Sequence, residues 1–271
     1  MYVDDDGITI RFNRKNFGEA TPEHPDTAKG SMYETIAAQC DLGQLLLIRG
    51  TAVVWEMSAD LLNTFNDVYI CTYMFEGSEM SSYLKKKGLT YEVVSLPNAK
   101  KAKDVAHLIE VVEDTKLNSI GATSSLSAGA FKGKKKDTLC DTLRRNLHNV
   151  MYNKWNTKAD DRLWTCFAKN ADEIGTSKYR KQHLAFNYKA TNDYIDVHHV
   201  AFLVDSFTNP MILAAAESKN NEIDQDRYAI SVLIQFIFRS AVRKGETIKL
   251  YLPSLRMREL LDRWKNGEFD E

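Results

Sequence analysis

Long apolar runs, paired cysteines and an excess of either charge are missing from this 271-residue sequence. No stretch reaches the roughly 18 apolar residues of a membrane span, the longest being Leu45–Ile48 and the broken run 232–238. The opening Met1-Tyr-Val-Asp-Asp-Asp has neither a basic nor an apolar region and does not read as a secretory signal. Cys40, Cys71, Cys140 and Cys166 lie far apart with no C-x-x-C pair, so they read as reduced core thiols rather than disulfides or zinc ligands. Together these absences predict a soluble, cytoplasmic protein. With 5 prolines and 13 glycines, no low-complexity segment or internal repeat is visible, and 44% hydrophobic content can fill one large core or two modest ones.

Motifs that would hold a nucleotide or a metal are also missing. Phosphate-cradling amides and a lysine require G-x-x-x-x-G-K-[ST]. The nearest run, GAFKGK at 129–134, has three intervening residues instead of four, and Lys135 follows where Ser or Thr belongs. Asp4-Asp5-Asp6 has only three residues before it and cannot end a strand as a magnesium motif does. No G-x-G-x-x-G, H-E-x-x-H or G-x-S-x-G occurs. His198 and His199 are neighbours expected on opposite faces of a strand and read as structural.

The net charge of −1 conceals a segregation: residues 1–131 carry −6, residues 132–189 carry +8 and residues 190–271 carry −3. The middle block holds Lys132, Lys134, Lys135, Lys136, Arg144, Arg145, Lys178, Arg180 and Lys181, interleaved with Tyr152, Trp155, Trp164 and Tyr179. A solvated lysine-rich helix face has this composition, and so does a surface that meets nucleic-acid phosphates, with Trp155, Trp164 or Tyr179 for base stacking.

Patterning predicts strands over 3–12, 68–74, 90–94, 107–112, 163–168, 183–187, 199–204 and 247–252, and a strand pair over 44–55 turned at Arg49-Gly50. Helices are expected over 31–40, over 59–66 behind Ser58 with Leu61, Leu62 and Phe65 on one face, over 78–87, over 133–153, from Pro210, over 226–244, and over 254–264 behind Ser254. The stretch 18–30 is loop-like. This alternation predicts an α/β fold, mostly parallel sheet flanked by helices. The polar, proline-containing run 96–104 is the expected linker between an N-terminal segment (1–95) and a second domain (105–271).

The helix expected over 226–244 is apolar over most of its circumference, and Gln235, Arg239 and Arg243 form one narrow polar stripe on it. Arginine is seldom buried without an anion. The stripe therefore serves either internal ion pairs, for example to Asp193 or Asp196, or a cleft that receives phosphate oxygens.

The run QFIFRSAVR at 235–243 resembles motif VI of superfamily-two helicases. Residues 184–196, LAFNYKATNDYID, look like motif V, a strand followed by a threonine-containing loop. Further blocks at 55–75, 117–121, 164–167 and 250–261 with Trp264 are similar to phage DEAD/DEAH-like helicases, in order along the chain. The resemblance implies a RecA-like helicase C-terminal domain preceded by part of a first motor domain. It implies that Arg239 and Arg243 neutralise charge on a γ-phosphate, that Gln235 orients groups at the cleft, and that Thr191, Asn192 and Asp196 couple nucleotide to nucleic acid. Thr72 would end the motif III strand of the first domain. Tyr194 stands where the family usually has glycine, and Tyr73 and Met74 where small residues are usual.

Without P-loop or magnesium motif, the expected function is the C-terminal half of an ATP-dependent DNA helicase. It would bind nucleic acid, DNA before RNA, and would meet ATP and Mg2+ only through a P-loop partner. The alternatives are a non-enzymatic nucleic-acid-binding or regulatory protein derived from such a domain, and an unrelated α/β enzyme with an arginine-lined anion pocket.

Overall fold

The computed structural model describes residues 1–13, 32–94, 101–120, 125–188, 191–217 and 222–270. The expected loop at 18–30, residues 96–100 of the expected linker, Gly121, and Lys189 and Ala190 of the motif V-like run lie outside them. The chain forms two compact units, one of residues 1–92 with 208–223 and one of 93–207 with 224–271. Residues 208–223, expected in the second domain, thus belong to the first.

In the first unit, the single strand expected over 3–12 is a hairpin, β1 (Tyr2–Val3) paired antiparallel with β2 (Ile10–Arg11). Asp6 causes the reversal, its Oδ1 accepting from the backbone N–H of Ile8 (2.9 Å) and Thr9 (2.7 Å). Helix α1 (Met32–Asp41) follows, then β3 (Leu45–Ile48) and β4 (Ala52–Trp55), paired antiparallel. Their turn needs two left-handed residues, and Arg49 (φ 53°) and Gly50 (φ 65°) supply them, as expected at that dipeptide. Successive side chains of β3 point to opposite faces. Leu45 joins Ile10, Phe12, Ala37 and Cys40 beneath α1. Leu46 and Ile48 pack on Ala214 and Ala215, in the helix that Pro210 opens.

Beyond a short helix α2 (Asp60–Asn63), the expected strand over 68–74 is absent. Residues 68–72 make no backbone hydrogen bond, and Val68, Tyr69 and Ile70 are exposed, Tyr69 by 85%. Leu61 and Phe65 of the expected apolar face are exposed as well. β-Branched and aromatic residues mark a chain that fits a sheet, but a strand also needs an edge to pair with. Residues 90–94 likewise form no strand among the described residues. Helix α3 (Glu79–Lys86) forms as expected, capped by Ser78, whose Oγ accepts from Ser81 N–H (3.1 Å), and it stops at Gly88 in the left-handed region.

The second unit opens with a helical turn α4 (Ala102–Val105), where Ala102 and Val105 are buried, so residues 102–104 are structured rather than linker. It continues through β5 (Ile109–Val111), the short α5 (Thr115–Asn118), α6 (Lys136–His148), β6 (Leu163–Thr165), α7 (Ala171–Tyr179) and β7 (His199–Phe202). The excursion through α8 (Pro210–Glu217) separates β7 from α9 (Gln225–Ile237), β8 (Ile248–Tyr251) and α10 (Leu255–Lys265). The four strands pair in the order β5-β8-β7-β6, all parallel. Of the strand expected over 183–187, a single parallel bridge, Trp164 to His183, is present.

Both faces of a parallel sheet are covered, so its strands are apolar throughout. On one face Trp164, Cys166, Ala201, Leu203 and Tyr251 pack with Cys140, Leu143 and Leu147 of α6 and Ala171 and Ile174 of α7. On the other, Phe202 meets Phe236 of α9 edge-on at 5.5 Å. Asp224 caps α9 and Ser254 caps α10, the latter accepting from Met257 N–H at 3.2 Å as expected. This is an α/β unit with helices on both faces of a parallel sheet.

Candidate functional site

The apolar helix ends at Ile237, seven residues before the expected Lys244. The Ser240 hydroxyl donates to Ile237 O (2.6 Å), and Ala241 N–H leaves the helical path for Val197 O (3.0 Å). A 3-10 turn, Ala241–Lys244, follows and closes on left-handed Gly245. Gln235, Arg239 and Arg243 therefore do not share one helical stripe. Gln235 is exposed on α9, and its side chain makes no hydrogen bond among the described residues.

The break re-aims the two arginines at the segment before β7. Arg239, 9% exposed, donates to the carbonyls of Tyr188 and Phe186, the latter at 3.5 Å, and its guanidinium lies 5.6 Å from the Phe236 ring. No carboxylate pairs with it among the described residues, and burial lowers its pKa without removing the charge. Arg243 is exposed and donates to Asn192 Oδ1 at 2.6 Å. Among the described residues neither arginine pairs with Asp193 or Asp196, and Lys244 holds Asp196 instead. Thr191 Oγ1 accepts from Asp193 N–H (3.2 Å), which shapes the loop. The motif V-like and motif VI-like segments, some fifty positions apart, are thus in direct contact.

These segments lead into β7 and β8 and lie at the amino-terminal edge of a parallel sheet. An open α/β sheet holds its own ligand at the opposite, carboxyl edge. There the chain buries an internal network instead: Arg256 donates to Asp205 Oδ1 (3.1 Å), Ser206 O (2.9 Å), Gln225 O and Asp226 Oδ1 (both 3.1 Å).

Beside the arginines, Asp161 binds both histidines, His198 Nδ1 at 3.3 Å and His199 Nδ1 at 2.9 Å, so the two converge on one carboxylate. His198 Nε2 also meets Glu246 at 2.8 Å. Desolvation lowers the His198 pKa, but the Glu246 bond and the Asp161 charge outweigh it and leave the pKa raised. A raised histidine pKa adds stability that is complete below about pH 6.5 and is lost as pH rises through the folded value. The stability difference between wild type and His198→Gln should therefore be largest in mild acid and shrink toward alkaline pH. Urea unfolding from pH 5.5 to 8.5 measures this, and a pH-independent difference would refute it. Residue type alone carried no signal for this cluster, because Asp161, His198 and Glu246 meet only once β6, β7 and β8 pair.

The basic block splits by environment. Lys134, Lys135, Lys178 and Lys181 are exposed with no carboxylate partner among the described residues. Lys136 pairs with Glu173 (2.9 Å), Arg144 with Asp141 (2.6 Å) and Arg180 with Asp172. Arg145 donates to Asp141 O at 3.3 Å. Trp164, expected to stack on bases, is fully buried in the sheet and donates its indole N–H to Tyr179 O (2.7 Å). Tyr179 is buried too. Thr72 lies exposed on the unpaired segment of the first unit, not at a strand end.

With this geometry in hand, known proteins resolve the family. A family model described as the YonV C-terminal Rossmann-like domain matches residues 103–265. The chain belongs to this YonV C-terminal domain family. The SPbeta prophage-derived uncharacterized protein YonV of Bacillus subtilis (strain 168) is 32% identical over 252 residues, covering 87% of this chain and 61% of that protein. The chain thus spans about three fifths of its relative's length. No solved structure matches. The YonV-like domain begins at α4 and ends at α10, so it contains the parallel sheet, both arginines and the basic helices. Among the described residues no helix is long and apolar enough to cross a membrane, and no group of His, Cys, Asp and Glu is arranged to hold a metal ion.

Proposed function

We propose that the YonV-like unit acts as the second half of an ATP-dependent DNA helicase. It offers Arg239 and Arg243 to the phosphates of a nucleotide held by a P-loop partner, while its basic helices bind nucleic acid. The observation that carries this reading is the state of Arg239, a buried guanidinium whose hydrogen bonds, among the described residues, go to carbonyl oxygens and to no carboxylate. Such a group keeps unspent capacity for an anion, and a planar fork matches phosphate oxygens. Its place at the amino-terminal edge favours a ligand held by another body. The residues thus fit a nucleotide phosphate, which supplies the group whose transferring charge an arginine neutralises. In this scheme Asn192 orients Arg243, and Asp196 holds Lys244 beside it.

The test combines the chain with the P-loop protein of a neighbouring gene and measures DNA-stimulated ATP hydrolysis. Arg239→Ala should lower kcat by about 10³-fold or more, the usual scale for an arginine finger, with DNA affinity unchanged. Wild-type activity in that variant would overturn the assignment. Salt-sensitive DNA binding that is indifferent to ATP and to any P-loop partner would favour the second reading, a non-enzymatic nucleic-acid-binding protein. The lack of a P-loop in the sequence is what keeps that reading in view.

A further inference from the structure

Burial sorts the aromatic rings of the basic block. Trp164 and Tyr179 are buried, Trp155 packs against His199 at 5.2 Å, and Tyr152 is 51% exposed. Two departures from regular helix create its setting. The end of α6 widens into a π-helical turn, Asn149–Lys154, a form that recurs at functional sites. In α7, Thr176 adopts φ 50° and ψ −166°, a strained conformation for a β-branched residue. The outcome is one cluster drawn from both helices. The His148 ring stacks on Tyr152 at 5.3 Å with 14° between the planes. Lys178 Nζ lies 4.4 Å from the Tyr152 ring centre and 3.5 Å from His148 Nδ1, which also meets the Tyr179 hydroxyl at 2.7 Å.

We infer that Tyr152, backed on one face by His148 and the Lys178 ammonium, is a stacking platform whose other face takes a base of single-stranded nucleic acid, with the long Lys178 side chain reaching the adjoining phosphate. The inference rests on reading the basic block as a nucleic-acid surface. An exposed ring braced from behind loses little freedom when a base lands on it, and every base has a face to offer. A duplex hides those faces, so the platform selects single strands. Lys178 has no carboxylate partner among the described residues and supplies the charge a backbone requires.

The experiment titrates the full chain, at low salt, against labelled oligothymidine, oligouridine and a duplex, each of about 20 nucleotides. Tyr152→Ala should weaken single-strand binding about 5- to 150-fold, the range for one stacked base, while Tyr152→Trp retains affinity and duplex binding stays unchanged. Lys178→Ala should flatten the logarithmic salt slope by about 0.7 on single strands. An unchanged Tyr152→Ala, or equal losses on single strands and duplex, would overturn the platform while leaving the basic surface intact. Failure of the wild type to bind any of the three would overturn the surface itself. The ratio of oligothymidine to oligouridine affinity identifies the strand as DNA or RNA.

Discussion

Arg256→Ala should destabilise the YonV-like unit by about 3–5 kcal/mol, because it removes one partner from a buried ionic network. The Asp205 side chain is fully buried, and Arg256 reaches it at 3.1 Å. The same guanidinium also binds Asp226 (3.1 Å) and two backbone carbonyls, and lies 4.3 Å from the Phe207 ring. It therefore ties the carboxyl end of β7 to the starts of α9 and α10. Alanine leaves the Asp205 charge without its arginine and the two carbonyls with one donor fewer. Lysine would not restore the network, since one ammonium cannot reach four acceptors in two directions. Denaturant unfolding should show a lower midpoint with an unchanged slope, and the melting temperature should fall by roughly 10 °C in a unit of this size. A loss below about 1 kcal/mol would mean that water or Arg263 replaces the guanidinium, since Arg263 already binds Asp226 at 2.7 Å.

The network also explains why the candidate site lies where it does. A sheet whose carboxyl edge is filled by Asp205, Ser206 and Arg256 spends that edge on its own cohesion. Arg239, a buried guanidinium with no carboxylate partner among the described residues, is at the other end of the strands. Pattern reading found the arginines but not their arrangement. Ile237, Phe238, Arg239 and Ser240 include neither glycine nor proline, so a helical wheel runs through them without interruption. The bond that ends the helix goes to Val197, forty-four positions upstream, and no local signal carries it.

The cap at Ser254 and the turn at Arg49-Gly50 were legible because their causes are local, whereas α2, expected behind Ser58, has Ala59 at its cap position with no side-chain bond there. After residue 105 the strands at 107–112, 163–168, 199–204 and 247–252 and the helices from 133, Pro210, 226 and 254 were legible for the same local reason. By contrast, α5 and α7 were not expected, and the strand expected over 183–187 is a single bridge. The expected strand at 68–74 failed because pairing is not local. Its Val-Tyr-Ile-Cys-Thr run fits a sheet that this unit does not offer it. The detour through 208–223 left no trace in composition, since Ala214 and Ala215 suit any helix and only the fold shows that they pack on β3.

Trp164 is the residue whose expected role the structure most alters, and its surroundings yield the second large effect. Gly175 sits against it so closely that an added Cβ would lie 2.4 Å from Trp164 Cζ2, 3.1 Å from Cη2 and 3.4 Å from the Arg180 nitrogen. The indole cannot retreat. It is fully buried, its N–H is committed to Tyr179 O, and His183 packs edge-on against it at 4.9 Å. Gly175→Ala should therefore cost about 1–3 kcal/mol by overpacking, although alanine is otherwise the better helix former. Trp164→Ala should cost about 3–5 kcal/mol, by loss of buried surface and by the cavity left among Cys140, Leu143 and Ile174. Combining the two should cost less than the sum of the single variants, because the methyl group enters the space that the indole vacates. Denaturant unfolding of the four proteins in this cycle measures the coupling. Strict additivity would show that α7 shifts to admit the methyl group, and that the close approach of Gly175 to Trp164 is not what fixes the helix on the sheet.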